Sequence, residues 1–292
     1  MLRKLFSAAI ILGAIGAVIG WFLTAPQYAS SSDFADLQSD VVAGETIFNA
    51  AGCASCHAAP DTSGEAKLIL AGGMHFETDF GTFVAPNISP SGAGIGDWSL
   101  LEFATALTEG VSPDGKHYFP AFPYTSYQNM KPQDIADLYA YMQTLPDSDT
   151  ASLPHEIGFP FNIRRSLGGW KLLFMRSGFA TPATDDPKLE RGQYLVEALG
   201  HCSECHTPRN ALGGPNREAW LQGGPNPDGR GTIPNITPDE LGWSSEEIVE
   251  YLKTGFTPEF DVVGGSMVSV QENMATLPDS DLEAIAAYLL AL

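Results

Sequence analysis

One five-residue stretch, Cys53-Ala54-Ser55-Cys56-His57, returns later in the chain as Cys202-Ser203-Glu204-Cys205-His206. Together the two copies use all four cysteines, leaving none for a disulfide or a free nucleophile. C-x-x-C-H is the attachment pattern of a c-type haem. Its thiols add across the two vinyl groups, and the histidine that follows binds the iron as proximal ligand. Two intervening residues bring both sulfurs to one edge of the macrocycle, and the next residue turns beneath the metal. A zinc site built from the four cysteines would leave both histidines coincidental, and a redox dithiol would not repeat the histidine. The expected cofactors are therefore two covalently bound haem c groups. Cys53, Cys56 and His57 hold one, and Cys202, Cys205 and His206 hold the other.

The rest of the chain repeats around those motifs. Gly44-Glu45-Thr46-Ile47-Phe48-Asn49-Ala50-Ala51-Gly52 leads into the first, and residues 192–201 lead into the second. Ala43, Ile47 and Ala50 share a helical face, as do Leu195, Val196 and Leu199, so each motif is delivered at the C-terminal end of a short helix. Ala85-Pro86-Asn87-Ile88-Ser89-Pro90 matches Ile233-Pro234-Asn235-Ile236-Thr237-Pro238; proline makes both rigid, extended loops. Asn87 and Asn235 head Asn-x-Ser/Thr triplets and read as loop residues. Ser99 with Glu102, and Ser244 with Glu247, are capping boxes that open helices ending at Gly110 and Gly255. Trp98 and Trp243, beside those caps, read as core. A closing helix follows in each repeat, with Ile135, Leu138, Tyr139 and Met142 on one face of the first. Leu282, Ile285, Ala286 and Leu289 form that face in the second.

The 292 residues leave room for two such units. A net charge of −20, with no basic patch carrying interleaved aromatics, excludes a nucleic-acid partner and suits a basic protein partner. Arg3 and Lys4 precede an uncharged apolar run from Leu5 to Leu23, long enough to span a bilayer. This is a signal or an uncleaved anchor, with the anchor preferred. The positive-inside rule then puts the body on the periplasmic side of a bacterial inner membrane, the compartment in which covalent haem is matured.

The order helix, haem motif, loops, capped helix, loop and final helix resembles a class I cytochrome c domain, twice over. The expected fold is all-α, two tandem class I domains with one haem each behind the N-terminal segment. The boundaries are 1–25 for signal or anchor, 26–39 for a tether, 40–145 for the first domain, 146–188 for a connector and 189–292 for the second. Phe119-Pro120-Ala121-Phe122-Pro123-Tyr124, Asn235-Ile236-Thr237-Pro238 and the residues around Cys202 make the pair similar to the cytochrome c subunit of periplasmic alcohol, aldehyde and sugar-acid dehydrogenases. Well-known members of that family carry three haem domains; this chain carries two.

The resemblance implies methionine as the sixth ligand, since Met/His ligation raises the potential for reversible electron transfer. Met130 lies just ahead of the first unit's final helix. Met267 follows Gly264-Gly265-Ser266 and matches the family's Gly-x-Met placement, with Met274 as the fallback. Pro60 and Pro208, just after the proximal histidines, are expected to offer carbonyls that orient them. His75, His117, His155 and His201 read as exposed loop histidines. The connector is expected to be a helix clamped across both units, with Arg164 or Arg165 pairing a haem propionate, in preference to a docking patch for a dehydrogenase.

The implied function is non-catalytic electron transfer. A periplasmic dehydrogenase would donate, and a downstream cytochrome, quinone or terminal oxidase would accept. The alternative is a dihaem enzyme, a peroxidase or a thiosulfate-oxidising cytochrome. The first needs an exchangeable sixth site; the second often ligates iron with a cysteine, and this chain has none to spare.

Overall fold

A computed structural model describes residues 2–227 and 229–292 of the chain. Helix α1 (Leu2–Leu23) is apolar along its length and exposed from Arg3 to Ser7 and from Ile10 to Ile19. The first unit opens with α2 (Val41–Ala50), whose N-cap Asp40 accepts from the amides of Val42 and Ala43. Next come α3 (Cys53–His57), α4 (Leu100–Glu109), α5 (Tyr124–Tyr127) and α6 (Pro132–Met142). Helix α7 (Ser166–Phe174) occupies the connector. The second unit runs α8 (Pro187–Tyr194), α9 (Ser203–His206), α10 (Pro238–Leu241), α11 (Ser245–Thr254), α12 (Met267–Met274) and α13 (Asp279–Leu290).

Both capping boxes form, and Gly110 and Gly255 close α4 and α11 in the left-handed conformation. The first and last helices of each unit cross at glycine. A Cβ on Gly44 would lie 2.1 Å from the Asp137 carbonyl oxygen, and one on Gly192 would lie 2.0 Å from that of Ala284. Only a residue without a side chain allows so close a crossing. Ile47 and Phe48 then meet Ile135, Leu138 and Tyr141, while Leu195 and Leu199 meet Leu282, Ile285 and Tyr288, in one core shared by the two units.

The repeats differ at one point of winding. From Gly44 to Cys53 is one residue shorter than from Gly192 to Cys202. The extra residue is absorbed where α8 runs into a π-helical turn, Leu195–Leu199, closed by the Gly200 amide on the Leu195 carbonyl at 2.7 Å.

The fold is mostly helical but not all-α. Strands β1 (His75–Thr78) and β2 (Gly81–Val84) form an antiparallel hairpin with His75 opposite Val84. Strand β3 (Glu156–Ile157) joins β2, and β4 (Gly224–Pro225) pairs with β5 (Thr232–Ile233). The loops after each haem motif therefore satisfy part of their backbone as small ribbons, a pairing that short runs broken by glycine and proline conceal in the sequence. Residues 26–39 are also more fixed than a tether. The Ala29 amide donates to Thr105 Oγ1 at 3.2 Å, and Ala29 and Phe34 pack on the core.

The connector clamps both units, as its aromatic content implies. Trp170 Nε1 donates to the Leu212 carbonyl at 2.9 Å in the second unit, and Lys171 Nζ donates to that of Gly110 at 2.8 Å in the first. Its arginines have protein partners. Arg164 donates to the His117 carbonyl at 3.0 Å and lies over Phe119, while Arg165 stacks on Trp21 at the end of α1 and donates to its carbonyl.

Candidate haem sites

In each unit a short helix ends on the histidine; α3 contains both cysteines, whereas α9 contains Cys205 with Cys202 as its N-cap. The ring of His57 then meets the Pro86 carbonyl through Nδ1 at 2.9 Å, and that of His206 meets the Pro234 carbonyl at 2.8 Å. With Nδ1–H donating to a carbonyl, Nε2 keeps its lone pair for a metal, and the ring plane is fixed. The carbonyls expected from Pro60 and Pro208 are replaced by these. The cue was present in the repeated Pro-Asn-Ile segment, whose rigidity was legible while its target was not. The same histidines accept through their own carbonyls from Gly72 at 2.7 Å and Gly223 at 2.6 Å. Both glycines have positive φ and lie against the proline carbonyl groups, where a Cβ would collide.

Burial is the main cause of the electrostatics here. It lowers the pKa of His57 and of His206, opposed by the carbonyl bond, so both rings are held neutral. It pushes the Cys53 and Cys202 thiols up to about 12 and Cys56 to about 11. The Cys205 thiol adds to the shift of Cys56. Two neutral thiols and an imidazole with a free Nε2, on or capping one short helix, are the donor set that a covalent haem requires, and they fit it in both units.

Each motif region is fastened to the opposite unit. Asn273 Nδ2 donates to Ser55 Oγ at 2.8 Å, between the first pair of cysteines. Thr125 Oγ1 donates to Glu204 Oε1 at 2.7 Å, between the second pair, and Arg209 pairs with Glu204. His201 meets the Ala51 carbonyl at 3.3 Å and the Tyr127 ring edge-on at 5.5 Å. Among the four other histidines only His75 is exposed. His117 is buried, bonded to the Thr24 carbonyl at 3.0 Å and to Lys171 Nζ at 3.1 Å. His155 accepts from the Val84 amide at 3.0 Å.

The methionines stand differently in the two units. Met267 begins α12 and is half-buried, whereas Met130 is buried in the shared core. Met274 is also buried; its methyl lies beside the position a Cβ on Gly200 would take, near Cys202 Sγ. Asn87, read as a loop residue, is a buried loop residue whose amide donates to the Ser148 and Thr150 carbonyls, both at 2.8 Å.

Comparison with known proteins agrees with this geometry. A family model described as cytochrome c matches residues 41–146, and one described as cytochrome c oxidase, cbb3-type, subunit III matches residues 187–289. The chain is 54% identical to a diheme cytochrome c-type protein of Cereibacter sphaeroides, over 99% of this chain and 98% of that one. It is 38% identical to the fructose dehydrogenase cytochrome subunit of Gluconobacter japonicus over 84% of this chain, which spans 51% of that subunit. It is 33% identical to the gluconate 2-dehydrogenase cytochrome c subunit of Pantoea cypripedii, over 94% of this chain and 65% of that subunit. With two haem motifs in two cytochrome c domains, and near full-length similarity to a diheme protein, the chain belongs to the dihaem c-type cytochromes.

Proposed function

We propose that this dihaem cytochrome carries electrons from a dehydrogenase to a respiratory acceptor on the periplasmic side of the membrane, with α1 as its anchor. The observation that carries the reading is that each attachment motif is bonded to the opposite unit within one shared core, which suits passage of an electron from one haem to the other. Relatives named as cytochrome subunits of fructose, gluconate and alcohol dehydrogenases support a dehydrogenase as donor. Helix α1 meets the length and hydropathy of a span, with mean hydropathy 2.2 over an 18-residue window within Arg3–Leu23. Domain limits of 40–145 and 189–292 are supported by the α2–α6 and α8–α13 crossings.

Within each unit the haem, once bound, supplies one-electron chemistry at its iron. The cysteines fix its edge, His57 and His206 hold the proximal side, and the Pro86 and Pro234 carbonyls keep each imidazole in one tautomer. In the second unit Met267 would hold the distal side. Met274 is set aside because its counterpart in the first unit, Tyr127, packs on the end of α2 through a 3.0 Å bond to the Ala51 carbonyl.

The experiment is reduction of the full chain, matured with both haems, by a purified sugar or alcohol dehydrogenase and its substrate, followed by absorbance. Rapid reduction that depends on both enzyme and substrate is expected. Haems that stay oxidised with every dehydrogenase, but turn over peroxide or thiosulfate, would replace the carrier with a dihaem enzyme.

A further inference from the structure

The two units can be aligned through their own hydrogen bonds. The Tyr118 amide donates to the Gly110 carbonyl at 2.7 Å, as the Val263 amide does to that of Gly255 at 2.7 Å. Isolated bridges precede both, Val111 with His117 and Phe256 with Val262. Four residues on from these amides, the second unit has Met267 and the first has Phe122. The far end of the segment is equally well marked. The Met130 amide donates to the Tyr127 carbonyl at 2.9 Å, and the Leu277 amide to that of Met274 at 3.0 Å. Met130 is therefore the counterpart of Leu277, and both are 5% exposed in the same core. The segment is two residues longer in the second unit, so counting back from Met130 instead gives Pro120 opposite Met267. Neither count places sulfur there.

Phe122 is held by Tyr118, Tyr124 and Tyr127, with ring centroids 5.8, 6.4 and 5.9 Å away. Three other candidate donors of this unit are held away, while His75 is exposed on β1. His117 is bonded on both ring nitrogens, Tyr127 bonds the Ala51 carbonyl, and Met142 is 2% exposed within α6.

Resting on the dihaem reading, we propose that the first haem iron takes no methionine, that Phe122 stands where the second haem has Met267, and that this sixth site is exchangeable. It accepts a small ligand of the carbon monoxide or cyanide class, whose lone pair fills the coordination position without displacing a sulfur. The two haems are thus unequal by construction: one saturated, one open.

The test uses the full chain with both haems attached. Protein mass and haem content come first, and fewer than two haems per chain would overturn the dihaem reading itself. In the oxidised protein, Met267→Ala should abolish the weak far-red methionine–iron band, while Met130→Leu, which installs the residue the second unit carries, should leave the band whole. Ferrous wild type should bind carbon monoxide at half of its haems, and Phe122→Met should abolish that binding and strengthen the far-red band. Loss of half the band in Met130→Leu, or no carbon monoxide binding by wild type, would overturn the proposal. Should Phe122→Met fail to fold, those two measurements still decide.

Discussion

Asn273 Nδ2 lies 2.8 Å from Ser55 Oγ, so a residue of α12 in the second unit is bonded to the stretch between the first unit's two cysteines. Haem spacing is consequently a property of the fold rather than of a flexible link. Replacing Asn273 with alanine removes one half-buried hydrogen bond and should cost about 1 kcal/mol. Chemical denaturation of the holoprotein measures it; an unchanged midpoint would show that the bond contributes nothing.

The glycine crossings set a harsher constraint. Gly44→Ala and Gly192→Ala each place a methyl against a backbone carbonyl, at 2.1 and 2.0 Å, and neither neighbour is a flexible tip. The helices must separate, at a cost of roughly 1–3 kcal/mol each, typical of overpacking. Thermal melting should show both variants destabilised, while Gly158→Ala, whose Cβ meets nothing within 4 Å, serves as the control.

Acid should weaken the fold through its buried histidines. Burial lowers the pKa of His117 and His155 below 6.5, helped by Lys171 at the first and Arg164 at the second. His155 Nδ1 accepts a hydrogen bond and so must stay unprotonated. A depressed folded-state value means the unfolded chain binds the proton more readily. The stabilisation is therefore complete above 6.5 and is lost as pH falls through the folded values. Urea midpoints across that range should fall with acidification, and less steeply in His155→Gln.

The proposed inequality of the distal ligands implies unequal potentials. Methionine opposite histidine raises a haem's potential, so the second haem should titrate above the first. A redox titration should resolve two waves, the upper one lowered by Met267→Ala and the lower one raised by Phe122→Met. Two waves unmoved by either variant would remove the link between these residues and the irons.

Much of this was legible in the sequence because the determinants are local. Ser99 with Glu102, Ser244 with Glu247, and the glycine stops each act within one turn of helix, and each formed as read. What escaped was set by distant backbone. The carbonyls that orient His57 and His206 come from 29 and 28 residues downstream, and no pattern beside the histidines announces them. Met130 illustrates the same limit. Its place before a final helix suggested a ligand, but its equivalence to Leu277 emerges only when both segments are aligned by their amide bonds. His117 looked like a loop residue until α1 and α7 closed over it.

The end of α1 is bolted to the body: Arg165 stacks on Trp21 at 4.2 Å, and Gly168 leaves space for nothing larger than itself against Thr24. A cytochrome so mounted cannot swing like a lantern on a cord. Were that helix to enter a membrane, the body would stand at one height and one bearing above it, and its redox partners would have to come to it.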